Sequence, residues 1–409
     1  MQIILWVFML SVLVACAENS VIYPLDPQTS VENRRLLVTF SDQSINRTIN
    51  GNAQDNYKSP AQYLNSSWSH RQASALAERH HLKLITQWPM TELGLSCVVY
   101  EVADQEQLQS AINNLQHDTQ VVSVQRMNSF KVLAEQPLSI NNNDPYLTLQ
   151  AGYRAMGIAD LHAIATGRGV RIALIDSGVD IDHPDLQGQI KVAQNLAPET
   201  SDHDMADVHG TAVAGILSAR PDNGIGIAGI APEAEVYALR ACWPDRPGSL
   251  AASCNSFTLA LALNQAIRLD SRIINMSLTG PDDPLLRQLL EKALFKGIVV
   301  IAAIPAKEQA GGFPANMPGV IAVGKGDEIS SAKIIAPGQD VLTTVPHQAY
   351  DFMTGSSFAT PHVAGITALL LQLHPDWQLA DIKPLLSAGI NRISQQLLST
   401  TSTTIAKHD

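Results

Sequence analysis

Positive charge is scarce in this sequence. Lys and Arg number 27 against 38 Asp and Glu, a formal net charge of −11. Nucleic-acid binders need a basic face, so that class is excluded. Attachment of the protein body to an anionic membrane surface is disfavoured for the same reason. A long apolar run is also missing. The one pronounced run, "MQIILWVFMLSVLVAC" at 1–16, is too short for a comfortable membrane span. No G-x-S-x-G segment occurs, which argues against an esterase-type nucleophile elbow. Cysteine is limited to four residues, so each can be placed individually. What is plentiful is apolar residues, 45% of a chain of 409 residues. That is enough for a sizeable core and more length than one domain usually holds.

The apolar run at 1–16 has small residues just before a cysteine, the pattern of an export signal. Leu13-Val14-Ala15-Cys16 resembles a bacterial lipobox, whose cysteine is lipidated after cleavage, although no Lys or Arg precedes the run. A simple secretory signal is the other reading. The expectation is an exported protein, either secreted or held in the periplasm or at the outer membrane, with the membrane touched only through a lipid on Cys16. Cys242 and Cys254 bracket "WPDRPGSLAAS", and in an exported protein that spacing suits a disulfide. Cys97 lies in the apolar run "LSCVVYEV" and reads as a core residue.

Two patterned regions follow a polar stretch at 17–33. From 34 to 133 the segments "RRLLVTF", "SHRQASALAERH", "HLKLITQW", "LSCVVYEV", "DQEQLQSAINNLQ" and "QVVSVQRM" alternate strand-like and helix-like. The order β-α-β-β-α-β predicts a small α+β ferredoxin-like domain. "AEQPLSINNNDPY" at 134–146 is a linker by composition. Over 145–395, nearly continuous apolar runs such as "GVRIALID", "AEVYALRA", "RIINMSL" and "GIVVIAAI" alternate with helical stretches. Strands buried on both faces read this way. The predicted fold class is α/β, a parallel sheet with helices on both faces. The tail "STTSTTIAKHD" reads as disordered.

Three segments of the larger region carry chemistry-bearing residues. Asp176 ends the strand in "RIALIDSGVD", His209 precedes a Gly and a small-residue helix in "DVHGTAVAGILSA", and Ser356 and Ser357 stand at a turn before a helix in "GSSFATPHVAG". Singly, each has an ordinary explanation as a cap or turn residue. Together, at strand ends on one side of a parallel sheet, a carboxylate, an imidazole and a hydroxyl can orient, accept a proton and attack.

"LIDSGVDIDHPDL", "HGTAVAGI" and "GSSFATPHVAG" resemble the three signature segments of the subtilases, the subtilisin-like serine peptidases, in that family's order Asp, His, Ser. The likeness runs through "NGIGIAGIAPEAEVYALR", "RIINMSLTGP" and "FPANMPGVIAVG" and covers roughly 145–390. The region 34–133 resembles the family's inhibitory propeptide. The resemblance implies a serine endopeptidase made as an exported zymogen, with protein or peptide substrates and its own propeptide as inhibitor. Asp176, His209 and Ser357 are the implied catalytic residues, with Ser356 in the place of the family's threonine. Ser277, Leu278, Thr279 and Gly280 match the strand end that pairs with an extended substrate. No cofactor is implied for chemistry and no catalytic metal. A structural calcium stays open, because Asp185 and Asn223 match positions that bind it in some subtilases.

Departures from the family pattern are specific. Ala212 replaces a histidine and Val208 a glycine beside His209. The family's asparagine that donates to the oxyanion follows the strand matching "GIVVIAAI", and here Pro305 and Ala306 occupy its Gly-Asn. That absence keeps a second reading alive, a catalytically weak or silent subtilase serving as a binding module. A lipid-anchored esterase-like hydrolase is the third. "GIGIAG" at 224–229 fits G-x-G-x-x-G but leads into Ala231-Pro232 rather than a helix, so no dinucleotide site is expected. Asp202, His203, Asp204, Asp207 and His209 crowd one stretch, and a solvated loop explains them more simply than a metal cluster.

Overall fold

The computed structural model describes residues 34–42, 67–132, 146–197, 205–305, 312–326, 334–389 and 393. The signal-like run with Cys16, the linker at 134–145 and the tail lie outside the described residues.

The N-terminal unit consists of Arg35–Ser41 (β1), Ser67–Arg79 (α1), Lys83–Met90 (β2), Leu95–Glu101 (β3), Gln105–Gln116 (α2) and Ser123–Arg126 (β4). Asp104 caps α2 by accepting the Gln107 N–H at 2.9 Å. The sheet order is β2-β3-β1-β4, antiparallel throughout, which is the expected β-α-β-β-α-β arrangement. Strand alternation gives this sheet two apolar faces. Leu36, Val38 and Phe40 pack with Leu76, Leu108 and Leu115 of α1 and α2. Leu37, Met90, Cys97 and Val99 turn the other way, into a cluster shared with the larger unit.

Ser129–Val132 (β5) ends the N-terminal segment and pairs with strands of the larger unit, which contains Ala151–Ala155 (α3), Ile158–His162 (α4), Arg171–Asp176 (β6), Ile190–Asn195 (β7), Val208–Ser218 (α5), Glu235–Arg240 (β8), Cys242–Pro244 (β9), Ala252–Asn255 (β10), Ser256–Arg268 (α6), Ile273–Met276 (β11), Leu278–Thr279 (β12), Pro284–Phe295 (α7), Val299–Ala303 (β13), Ile321–Lys325 (β14), Ile334–Ala336 (β15), Val341–Val345 (β16), Ala349–Met353 (β17), Ser356–Leu373 (α8) and Leu379–Ser387 (α9). Seven strands form a parallel sheet in the order β15-β14-β13-β11-β6-β8-β7. The chain leaves β6 toward β8 and β7, then returns to its other side at β11. That reversal makes the β6/β11 boundary a topological switch point, with a crevice outside the carboxyl ends of both strands. Helices α5 and α8 cover one face, α6 and α7 the other. The α8 side chains Val363, Ile366 and Leu370 are buried in the sheet core, as a helix apolar all round requires.

The two units meet over α6 and α7. Their Phe257, Leu285, Leu286 and Leu289 receive the second face of the N-terminal sheet. At the rim, Asp283 is fully buried and caps α7 by accepting the N–H groups of Leu285 and Leu286, each at 3.0 Å. Its other oxygen accepts from Gln125 and Asn128 of the N-terminal unit, both at 2.9 Å, and from Ser256 at 2.5 Å. Lys296 pairs with Glu92 across the same boundary at 2.8 Å. Cys97 is buried here, as its sequence context predicts. Burial, reinforced by the Asp283 charge, pushes its thiol up to about 12, which leaves it an inert core residue.

Candidate active site

Asp176 is the last residue of β6 and is buried. His209 is the second residue of α5 and is fully buried. The two meet because a pair of glycines lets the chain segments touch. Gly178 has φ +124°, and a Cβ placed on Gly210 would lie only 2.0 Å from the Gly178 carbonyl oxygen. The approach sets His209 Nδ1 2.7 Å from Asp176 Oδ1. The Ser177 backbone N–H also donates to Asp176 Oδ1, at 2.7 Å. Nδ1 therefore carries the proton, and Nε2, buried without a partner, presents a lone pair.

Ser357 is the second residue of α8. Gly355, at φ 153°, makes the turn into that helix. Helix geometry leaves the first N–H groups of α8 without intrahelical acceptors. The helix also contains Pro361, whose missing N–H frees the carbonyl four residues back, that of Ser357. Ser277 Oγ fills the gap, donating to Ser357 O at 2.8 Å, while Ser357 Oγ donates to Ser277 O at 3.0 Å. The residue after β11 is thus bound twice to Ser357. The neighbouring Phe358 ring lies 5.3 Å from the His209 ring. The structure brings Asp176 and His209 into direct contact and packs Phe358, the residue after Ser357, against the imidazole, with the Ser357 hydroxyl on Ser277 rather than on His209. Ser356 is committed elsewhere, donating to Ile304 O at 2.6 Å.

Leu278 and Thr279 form β12, whose free edge is occupied. β5 lies antiparallel between β12 and β10, with Leu278 opposite Val132, Thr279 opposite Lys131 and Cys254 opposite Phe130. Phe130 is fully buried, 6.2 Å from the Phe313 ring centroid. Its ring fills the space above Gly280, where an added Cβ would lie 2.1 Å from it. Cys242 and Cys254 are disulfide-bonded directly across the β9–β10 hairpin that receives Phe130. Mass spectrometry of protein isolated without reductant should find this linkage. Replacing both cysteines by Ser is expected to cost about 3 kcal/mol of stability, by a chain-entropy estimate for a loop of this length.

Asp185 is buried, and both oxygens of its carboxylate accept hydrogen bonds. Oδ1 accepts from Asn223 Nδ2 at 2.7 Å, and Oδ2 from the Ile227 N–H and the Tyr350 hydroxyl, each at 2.9 Å. Burial and the Asp185 charge push the Tyr350 phenol far up, so it stays a donor. Calcium needs oxygen lone pairs, and these groups present hydrogens. The space is closed as well, since a Cβ on Gly226 would lie 2.0 Å from Asp185 Oδ2. Of the acidic stretch before α5, Asp202, His203 and Asp204 lie outside the described residues, as do Ala306 and Gln309 after β13. A surface hollow of about 600 Å³ beside α9, lined by Leu294, Ile298, Leu379 and Lys383, contains none of the site residues.

A parallel sheet whose switch point holds a buried Asp–His pair beside a serine at a helix start defines a subtilisin-like architecture. Residues 167–404 match the subtilase family model, and the chain belongs to that family. Over 235 residues it is 37% identical to subtilisin E of Bacillus subtilis (strain 168), covering 53% of this chain and 59% of that protein. It is 35% identical to a subtilisin of Bacillus pumilus, covering 53% and 82%, and 34% identical to thermitase of Thermoactinomyces vulgaris, covering 56% and 84%. The match therefore spans 59% of the length of subtilisin E. The solved structure of fervidolysin from Fervidobacterium pennivorans, described as a keratinolytic enzyme related to subtilisin, superposes with a TM-score of 0.64 at 21% identity, covering 86% of this chain and 56% of that one. At that identity the likeness speaks for the fold.

Sequence reasoning missed β5. "SFKV" is four residues long, too short for a periodicity signal, and its partners lie more than a hundred positions away. The β9–β10 hairpin reads as a loop because Pro, Gly and Ser dominate it. Ser177 and Asp207 carry no sequence signal of their roles either, because what they do depends on each other across 30 positions.

Proposed function

We propose that this protein is an exported serine endopeptidase, made as a zymogen, that hydrolyses peptide bonds with Asp176, His209 and Ser357. The observation that carries the reading is the buried 2.7 Å pair between His209 and Asp176 beside Ser357 at the start of α8. Rotation of the Ser357 hydroxyl from Ser277 O to His209 Nε2 gives the imidazole its proton to accept. The attacking oxygen bonds to the substrate carbonyl carbon, the C–N bond breaks as His209 gives the proton to the leaving amine, and a water deprotonated by His209 then hydrolyses the acyl-enzyme, releasing the carboxylate and restoring the Ser357 hydroxyl. Asp176 keeps the imidazole in the working tautomer and stabilises its charged form. The developing oxyanion is met by the Ser357 N–H and the positive end of α8. The chemistry is carried by these side chains and calls for no metal or organic cofactor.

Ser277, Leu278, Thr279 and Gly280 supply the edge on which an extended peptide binds by strand addition. β5 supports the zymogen reading, because it occupies that edge in the manner of a bound peptide. Residues 34–133 act as the inhibitor, 145–395 as the peptidase. β5 runs antiparallel to β12, with Val132 opposite Leu278, the residue after Ser277, which is bonded to the nucleophile. Cleavage is expected in the segment that follows β5, within 127–146. N-terminal sequencing of the mature enzyme should find its start there. A fully active form beginning at residue 17 would sink the zymogen reading. Phe130→Ala, which empties a buried aromatic site, should weaken inhibition by the released N-terminal unit about a hundredfold, corresponding to roughly 3 kcal/mol.

The export signal at 1–16, with a lipid on Cys16, fits a protease working outside the cytoplasm, and the Cys242–Cys254 disulfide suits an oxidising compartment. Fluorophosphonate labelling, compared between wild type and Ser357→Ala, tests the catalytic assignment directly.

A further inference from the structure

A second buried carboxylate stands behind the Asp176–His209 pair. Asp207 caps α5, accepting the backbone N–H of His209 at 3.1 Å, and is 5% exposed. The same oxygen, Oδ1, accepts a hydrogen bond from Ser177 Oγ. Ser177 Oγ in turn accepts the Gly210 N–H at 3.2 Å, while the Ser177 backbone N–H holds Asp176 Oδ1. One side chain thus fixes both members of the pair. It grips the helix start that carries His209, and through Ser177 it grips the turn that aims Asp176. A helix cap alone needs only the first of these bonds. Nothing in a cap requires a buried charge, since Asn caps as well as Asp.

We propose that Asp207 is a positioning residue for peptide hydrolysis, setting the Asp176–His209 geometry through Ser177 and adding a second negative charge beside the imidazole when it becomes cationic. This inference rests on the triad assigned above. Groups around Asp207 are few. Asp176 faces it from the end of β6, His209 from its own helix, and the buried Arg240 of β8 approaches Gly178 on the same side as the Met205 carbonyl, two residues before Asp207. Asp202, His203 and Asp204 precede it in the chain. Burial, with a smaller push from Asp176, outweighs the bonds from Ser177 and His209 and raises the Asp207 carboxyl to about 6. The carboxylate is therefore charged above about pH 6 and neutral below it. Its ionisation adds a step of its own to the acid side of the activity profile.

The test is the pH dependence of kcat/KM for a chromogenic peptide, measured on the mature enzyme. Wild type is expected to show an extra fall of about tenfold near pH 6 on the acid side, as Asp207 becomes neutral. Asp207→Asn keeps the cap and a Ser177 acceptor but not the charge. It should lack that step and show a plateau kcat lowered about tenfold, with KM little changed, since tenfold corresponds to one unit of proton affinity. Ser177→Ala keeps the charge and the cap and breaks the bridge. It should keep the step and lower the plateau. A wild-type profile with no such step, or one that Asp207→Asn does not alter, or a Ser177→Ala enzyme with wild-type kcat, overturns the proposal. Retained activity in Ser357→Ala would instead overturn the triad on which it rests.

Discussion

Ser357→Ala is expected to abolish peptide hydrolysis, with a loss of about a millionfold in turnover, the size of effect that removal of the nucleophile has in subtilisin. Ser356→Ala should leave most activity in place. The two adjacent hydroxyls differ in their commitments. Ser356 donates to Ile304 O, whereas Ser357 Oγ donates to Ser277 O, at the edge proposed to pair with substrate. On the proposed zymogen reading, Ser357→Ala should also accumulate as the unprocessed precursor. Gel mobility and peptide hydrolysis read the two losses separately. Equal loss from both substitutions in folded protein would mean that the wrong hydroxyl was assigned.

Turnover is expected to be low, about 10²–10³ below that of relatives with a full oxyanion site, because one donor is missing. β13 ends at Ala303, and Ile304 and Pro305 continue from it where the family turns into Gly-Asn. Pro305 has no side-chain donor, and neither has Ala306. The Ser357 N–H and the α8 terminus then stabilise the charge without a side-chain amide. Ala306→Asn should raise kcat if Pro305 permits the family backbone. Gln309→Ala and Asn316→Ala check whether a residue farther along supplies the donor. Asn316 is exposed, and its backbone N–H is held by Gly312 O at 2.9 Å. A wild-type kcat equal to that of subtilisin E, unchanged in both Ala variants, would refute either the alignment of Pro305 and Ala306 or the weight given to the donor. No detectable turnover, with folding intact, would favour a silent binding module instead.

The parallel sheet was legible in the sequence because strands such as "RIALID" are apolar on nearly every residue, a property of the strand itself. The Asp, His and Ser segments were legible because each signature is local. What could not be read is what tertiary contact creates. Tyr350 becomes a partner of Asp185 only after 165 positions of chain fold back, and no pattern near either residue announces it. β5 has the same problem in acute form, since its role lies wholly in the strands on either side. Ser277 stands between these cases. Its place at a strand end was readable, but its bond to the carbonyl freed by Pro361 belongs to the helix it meets.

The two apolar faces of the N-terminal sheet have a consequence for the timing of activation. While the units are joined, Leu37, Met90 and Val99 are covered by α6 and α7. On the proposed zymogen reading, once the chain is cut and the smaller unit departs, those side chains would meet water, at a cost of about 1.5–3 kcal/mol for each large residue exposed. The departed unit would lose stability, open more often and present unfolded chain to the peptidase. Destruction of the inhibitor would follow from its release, so activation would work as a ratchet: each molecule is switched on once, and no pool of intact inhibitor accumulates to switch it off.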